Sequence, residues 1–243
     1  IKIMELNNIY LGFALATFAG LSTGIGSGLA LFTRSFNKRF LAIALGLSAG
    51  IMIYVSFVEL MQLSFESLMA IYGQNFGKLI TVTGFVVGLL LMLLIDQLFD
   101  HQSIADFISR SEDKNESALI KAGIFSAIAL AIHNFPEGFA TFTATVYDPA
   151  IGLTLASAIA VHNIPEGIAV SVPIYYATKS KRKAFYISFL SGLAEPFGAL
   201  IGFLIFRTVF NEALFGISFA FLVYNELILF CLATLCQHIF HFH

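Results

Sequence analysis

Of the 243 residues, 58% are hydrophobic and 12% charged, and the mean hydropathy is +0.87. Soluble domains hold about half apolar and about a quarter charged residues, so this composition excludes an ordinary water-soluble domain and marks an integral membrane protein. A net charge of −2 and a pI near 6.3 say little about partners, and no basic face suggests nucleic acid.

From the N-terminus, IKIMELNNIY has no charged n-region followed by a cleavage site, so no removable signal peptide is expected. About 20 mostly apolar residues cross a bilayer core as a helix. Seven runs reach that length: about 8–32, 40–65, 79–99, 118–146, 150–176, 184–210 and 213–240. They are continuous rather than alternating, which disfavours barrel strands. The fold class predicted is an all-α, polytopic helix bundle, forming a single transmembrane domain over 1–243. The charged stretch DHQSIADFISRSEDKNES, 100–117, reads as a mobile loop. Cys231 and Cys236 share the last apolar run and form neither a disulfide framework nor a zinc knuckle.

Basic residues mark the cytoplasmic side of a membrane. Arg34, Lys38 and Arg39 follow the first run, Arg110, Lys114 and Lys121 the third, and Lys179, Lys181, Arg182 and Lys183 the fifth. Only Lys2, Lys78 and Arg207 of the 13 basic residues fall on the opposite side. This asymmetry predicts an N-terminus outside a plasma (inner) membrane, with 100–117 cytoplasmic. A homodimer is compatible with the composition and not demanded by it.

The chemistry lies in the fourth and fifth runs. HNFPEG at 133–138 and HNIPEG at 162–167 each sit at the middle of an apolar helix. An ionisable group at that depth costs ~2.5–3.5 kcal/mol on insertion scales and is retained only if something offsets it. His133 and Glu137 are four apart and share a helix face; Asn134 and Glu137 are three apart on the next strip. Glu137 can therefore serve two adjacent positions, and His162, Asn163 and Glu166 repeat the pattern. Pro136 and Pro165 each remove a backbone donor and are expected to kink their helices. Gly138 and Gly167 admit a neighbouring helix closely.

Consecutive spans run antiparallel, so the repeated motif predicts an inverted-repeat arrangement about an axis in the membrane plane. Two His, two Glu and two Asn converging there suit a divalent ion such as Zn²⁺, Fe²⁺ or Mn²⁺, and the lack of thiolate disfavours Cu⁺. In SGLAEPFG, Glu195 beside Pro196 brings a third carboxylate to the same depth. Glu59 in YVSFVEL and Glu226 in VYNEL are vestibule candidates.

Blander explanations carry different weight at each position. A single membrane histidine usually serves as a helix–helix hydrogen bonder, but a twinned HNxPEG at mirrored depth outweighs that explanation. Glu195 has no basic residue at its depth for a structural ion pair. GIGSG at 24–28 lacks a preceding strand and reads as small-residue helix packing rather than phosphate binding. GQNFGK at 73–78 is short of a nucleotide loop, KSKRK at 179–183 is topogenic, and HIFHFH ends the chain with three histidines that could gather metal or simply fray.

At these residues the chain resembles the ZIP (Zrt/Irt-like) family of divalent metal transporters, and looks most like its prokaryotic ZupT-type branch. The resemblance covers about 40–210 through HNFPEG, HNIPEG, SGLAEP and SAGIMIYVSFVEL. It implies a binuclear centre: His133, Glu137, His162 and Glu166 around one metal, and Asn134, Asn163 and Glu195 around a second, with Glu137 and Glu166 bridging. It also implies movement of Zn²⁺, Fe²⁺ or Mn²⁺ toward the cytoplasm as cargo, with no cofactor. Three departures stand out. The family has eight helices and this chain offers seven runs; the loop after the third run has only His101; and the second site carries neutral Asn where some members have Asp.

The function expected is therefore alternating access around a midplane metal site, in a transporter rather than an enzyme. An intramembrane metalloenzyme and a metal-gated receptor are the alternatives. The symmetry of the motif, the surplus of ligands and the absence of HExxH count against the first.

Overall fold

The computed structural model describes residues 5–32, 38–98, 114–207 and 213–220, and among them every regular element is helical. In chain order these are α1 (Leu6–Phe32), α2 (Lys38–Tyr54), a π-helical turn (Val55–Leu60), α3 (Met61–Tyr72), α4 (Gln74–Leu98), α5 (Lys114–Tyr147), α6 (Pro149–Thr178), α7 (Lys181–Gly192), α8 (Ala194–Phe206) and α9 (213–220). Among the described residues, four helical stretches are long and apolar enough to cross a membrane: Leu6–Phe32, Gly46–Tyr72, Pro149–Thr178 and Lys181–Ile205. The expected loop at 100–117 lies outside the described residues up to 113, and 114–117 form the first turn of α5. Glu226, His101, the two cysteines and the terminal histidines also lie outside them.

The connections are short because the sequence supplies their caps. Asp148 caps α6 by accepting from the Ala150 N–H at 2.8 Å, with Pro149 at the first helical position. Lys179 closes α6 in the left-handed region at φ 50°, and Ser180 then caps α7 by accepting from the Lys183 N–H. Part of KSKRK is thus a tight helix-to-helix turn.

Proline acts differently in the three site-bearing segments. α5 and α6 remain helical through Pro136 and Pro165, so a kink at either proline leaves its helix unbroken. The α7–α8 rod instead breaks at Leu193. Pro196 cannot donate to the Gly192 carbonyl, and its ring crowds that carbonyl. The interruption sets Glu195 in the first turn of α8, where the positive end of the helix dipole favours a carboxylate.

α5 and α6 pack against each other and against α1 and α7, and α8 packs on α5 and α1. α2 joins this group through α6, while α3 and α4 pair. Two apolar clusters flank the HNxPEG level. One contains Ala140, Ala144, Leu155 and Ile159 with Val55 and Phe215; the other contains Leu130, Val170 and Ile174 with Met52. In the first, Tyr147 and Phe215 stack at 3.9 Å between ring centroids. Leu79, Val82, Val86 and Leu90 of α4 face outward, as a lipid-covered surface requires.

Candidate metal centre

The helical register carries both motifs to one point. Glu137 Oε1 lies 2.8 Å from His133 Nε2, one turn back on α5, and 2.9 Å from His162 Nε2 on α6. The two imidazole centroids are 6.5 Å apart. His133, His162 and Glu166 each offer a ligand atom, and these atoms lie within 4.8 Å of one another. All four side chains are at most 3% exposed.

Asn134, Asn163 and Glu195 are each 0% exposed. The Asn163 amide donates to a Glu195 carboxylate oxygen and, at 3.0 Å, to the Ala19 carbonyl of α1. The Asn134 amide donates to the Ser191 carbonyl of α7 at 3.3 Å. Both amides thus use their NH₂ groups on protein and leave Oδ1 without a hydrogen bond. Both Glu166 oxygens and Glu137 Oε2 are likewise without one. Burying an acceptor without a donor costs ~1–3 kcal/mol for a neutral group and more for a charge. A cation would satisfy this cluster of unbonded oxygens beside two imidazoles, and the mixed N and O donors suit a divalent transition metal such as Zn²⁺.

Glycine lets the backbones approach. A Cβ at Gly138 would strike the Glu195 carbonyl, and one at Gly167 would strike that of Thr23. Gly26 sits in the same way on the Ile164 carbonyl and Gly198 on that of Phe135. Gly26, within GIGSG, is therefore a packing residue and not part of a phosphate loop.

Sequence reasoning brought no α1 residue to the site, yet the Ala19 carbonyl reaches Asn163, and Thr23 is wholly buried with no hydrogen bond to its hydroxyl. Thr23 and a small residue three positions away on each side are visible in GLSTGIG, but nothing in that pattern signals a ligand. Ser48 of α2 donates to the His162 carbonyl at 3.3 Å. Glu59 lies apart from the cluster: it lines a cavity of about 340 Å³ between α2 and α6, together with Gly50, Tyr54, Ile151 and Ala158. Ala158 is one turn before His162 on α6.

A bundle of apolar helices holding a buried His–Glu–Asn cluster among them defines a polytopic membrane protein, with a cluster that could hold a cation. The profile of the ZIP zinc transporter family matches residues 100–239. The zinc transporter ZupT of Chlorobium chlorochromatii is 49% identical over 219 residues, covering 88% of this chain and 82% of the relative. That of Lysinibacillus sphaericus is 50% identical over 220 residues, with the same coverage. That of Clostridium perfringens is 44% identical over 231 residues, covering 88% and 81%. The chain belongs to the ZIP zinc transporter family, in its prokaryotic ZupT branch.

Proposed function

We propose that the protein carries a divalent transition-metal ion, with Zn²⁺ foremost and Fe²⁺ and Mn²⁺ as further cargo, through the centre formed by α5, α6 and α8. One observation carries this reading: His133, Glu137, His162 and Glu166 converge while fully buried, with carboxylate oxygens that no protein donor satisfies. His133, Glu137, His162 and Glu166 hold the first ion, Asn134, Asn163 and Glu195 the second, and Glu137 and Glu166 bridge them. The amide oxygens make the second position weaker, which favours release.

Burial of all seven side chains supports alternating access. An ion reaches them only when the flanking apolar packing on one side opens. We infer that Glu59 and its cavity form an outer vestibule, because the cavity ends one turn short of His162. Glu226 is proposed to serve the same vestibule. An inverted repeat relating α5 to α6 is favoured by the matched glycine contacts described above. The N-terminus is placed outside and the α6–α7 turn in the cytoplasm of the plasma membrane, from the distribution of Lys and Arg. A hydrolase is disfavoured because the cluster does not line the described cavity, where a substrate would have to sit.

The test is ⁶⁵Zn²⁺ uptake into proteoliposomes, with Glu137→Ala and His162→Ala beside the parent chain. Saturable uptake should vanish in both variants. Uptake equal to the parent in both would refute the proposal. Cysteine placed at Ser180 should react with an impermeant maleimide only from the cytoplasmic side; labelling from outside would reverse the topology.

A further inference from the structure

We propose that Thr23 of α1 is a further ligand of the metal path: its hydroxyl and Asn134 Oδ1 form a neutral counterpart to the flank built by Glu195 and Asn163. The proposal rests on the metal-transport reading above.

The contacts of α5 and α6 match in pairs. Exchanging α5 for α6 exchanges Asn134 with Asn163, Phe135 with Ile164 and Gly138 with Gly167, since each pair holds the same place in HNxPEG. The helices they touch exchange as well. Asn163 donates to the Ala19 carbonyl, and Asn134 to that of Ser191. Gly167 meets the Thr23 carbonyl, and Gly138 that of Glu195. Gly26 meets Ile164, and Gly198 meets Phe135. Ala19, Thr23 and Gly26 on α1 therefore correspond, at the same spacings, to Ser191, Glu195 and Gly198 on the α7–α8 rod.

The crossing of these two segments obeys the same exchange. A Cβ on Gly20 would lie 3.3 Å from Glu195 Cβ, and one on Gly192 would lie 3.0 Å from Thr23 Cβ. Each of the two side chains thus rests over the other's glycine. At position 195 the chain has a carboxylate that accepts from Asn163. At position 23 it has a hydroxyl that is 0% exposed and without a hydrogen bond, and the matching amide oxygen, Asn134 Oδ1, is also without one. A buried hydroxyl and a buried amide oxygen left unbonded are costly, and a divalent cation accepts both as ligands.

The pair explains an asymmetry in charge. One flank is anionic and the other neutral, so an ion held on the Thr23 side binds more weakly than one held by Glu195. Thr23 then sets how readily the ion leaves.

The experiment is Zn²⁺ titration by calorimetry of the purified full chain in detergent micelles, with ⁶⁵Zn²⁺ uptake in parallel. Thr23→Val keeps the shape and removes the hydroxyl; affinity should fall about tenfold, the scale of losing one supporting group at a metal site. Thr23→Ser should restore it. Thr23→Asp should bind about tenfold tighter and release more slowly, since added ligand charge strengthens a cation site. Parent-like binding in both Thr23→Val and Thr23→Asp, while Glu137→Ala abolishes binding, would overturn this inference alone. Parent-like binding in Glu137→Ala would overturn the transport site and this inference with it. If Thr23→Val is not monodisperse, Thr23→Ser against Thr23→Asp decides: equal Zn²⁺ affinities overturn the proposal.

Discussion

At the residue scale, the site is held together by what its atoms lack. Both oxygens of Glu166 are buried and unbonded, so the metal-free protein carries an uncompensated group at its centre. Replacing Glu166 with Gln should raise the melting temperature of the metal-free protein in detergent, by the equivalent of about 1–3 kcal/mol. The same change should remove most of the stabilisation by Zn²⁺. For the parent, Zn²⁺ at about 100 times its dissociation constant should add about 2.7 kcal/mol, and a chelator should reverse it. A thermal melt with and without metal reads both effects; a metal-free melt unchanged or lowered in Glu166→Gln would contradict this account. His133, Glu137, His162 and Glu166 could be found in the sequence because helical spacing of three and four fixes which side chains share a face. Thr23 could not. A threonine in an apolar helix is commonly satisfied by its own backbone, as Thr143 and Thr145 are here, and only three-dimensional packing reveals that Thr23 is not.

At the element scale, close approach of backbones matters more than helix propensity. The carbonyls of Ile164 and Thr23 occupy the places where Cβ atoms of Gly26 and Gly167 would be. Gly26→Ala and Gly167→Ala should each cost about 1–3 kcal/mol through overpacking, seen as lower melting temperature and loss of monodisperse protein. Gly28, two residues from Gly26, faces open space. Gly28→Ala should be neutral or slightly stabilising, because alanine suits a helix interior better than glycine does. A melt of Gly26→Ala matching that of Gly28→Ala would show that the contact is not tight. The apolar runs announced where these helices lie, since hydropathy is a property of the segment alone. The π-helical turn at Val55–Leu60 was not announced, nor was the placing of the Pro196 disturbance as a break at Leu193. The first has no periodicity of its own over six residues, and the second depends on which of several prolines yields to its neighbours. Pro136 and Pro165 lie within unbroken helices, whereas the rod that carries Pro196 is interrupted at Leu193.

At the scale of the whole molecule, the centre lies between two apolar clusters, one containing Phe215 and Leu155, the other Met52 and Ile174. Metal capture requires neutral imidazole and ionised carboxylate, so protons compete with the ion. Zn²⁺ uptake should fall as external pH drops from about 7.5 to 5.5, the range in which free imidazole titrates. A rate that rises in acid, measured with internal pH clamped, would instead point to protons acting as co-transported drivers. The seal on both sides has an electrical consequence. Under the proposed alternating access the protein would conduct no steady current, and vesicles containing it should hold an imposed voltage. Each ion would then cross only when packed side chains rearrange, an event of microseconds to milliseconds. A cell that needs more metal through this protein must therefore make more copies of it, because a steeper gradient soon stops helping once every copy is already cycling at its own pace.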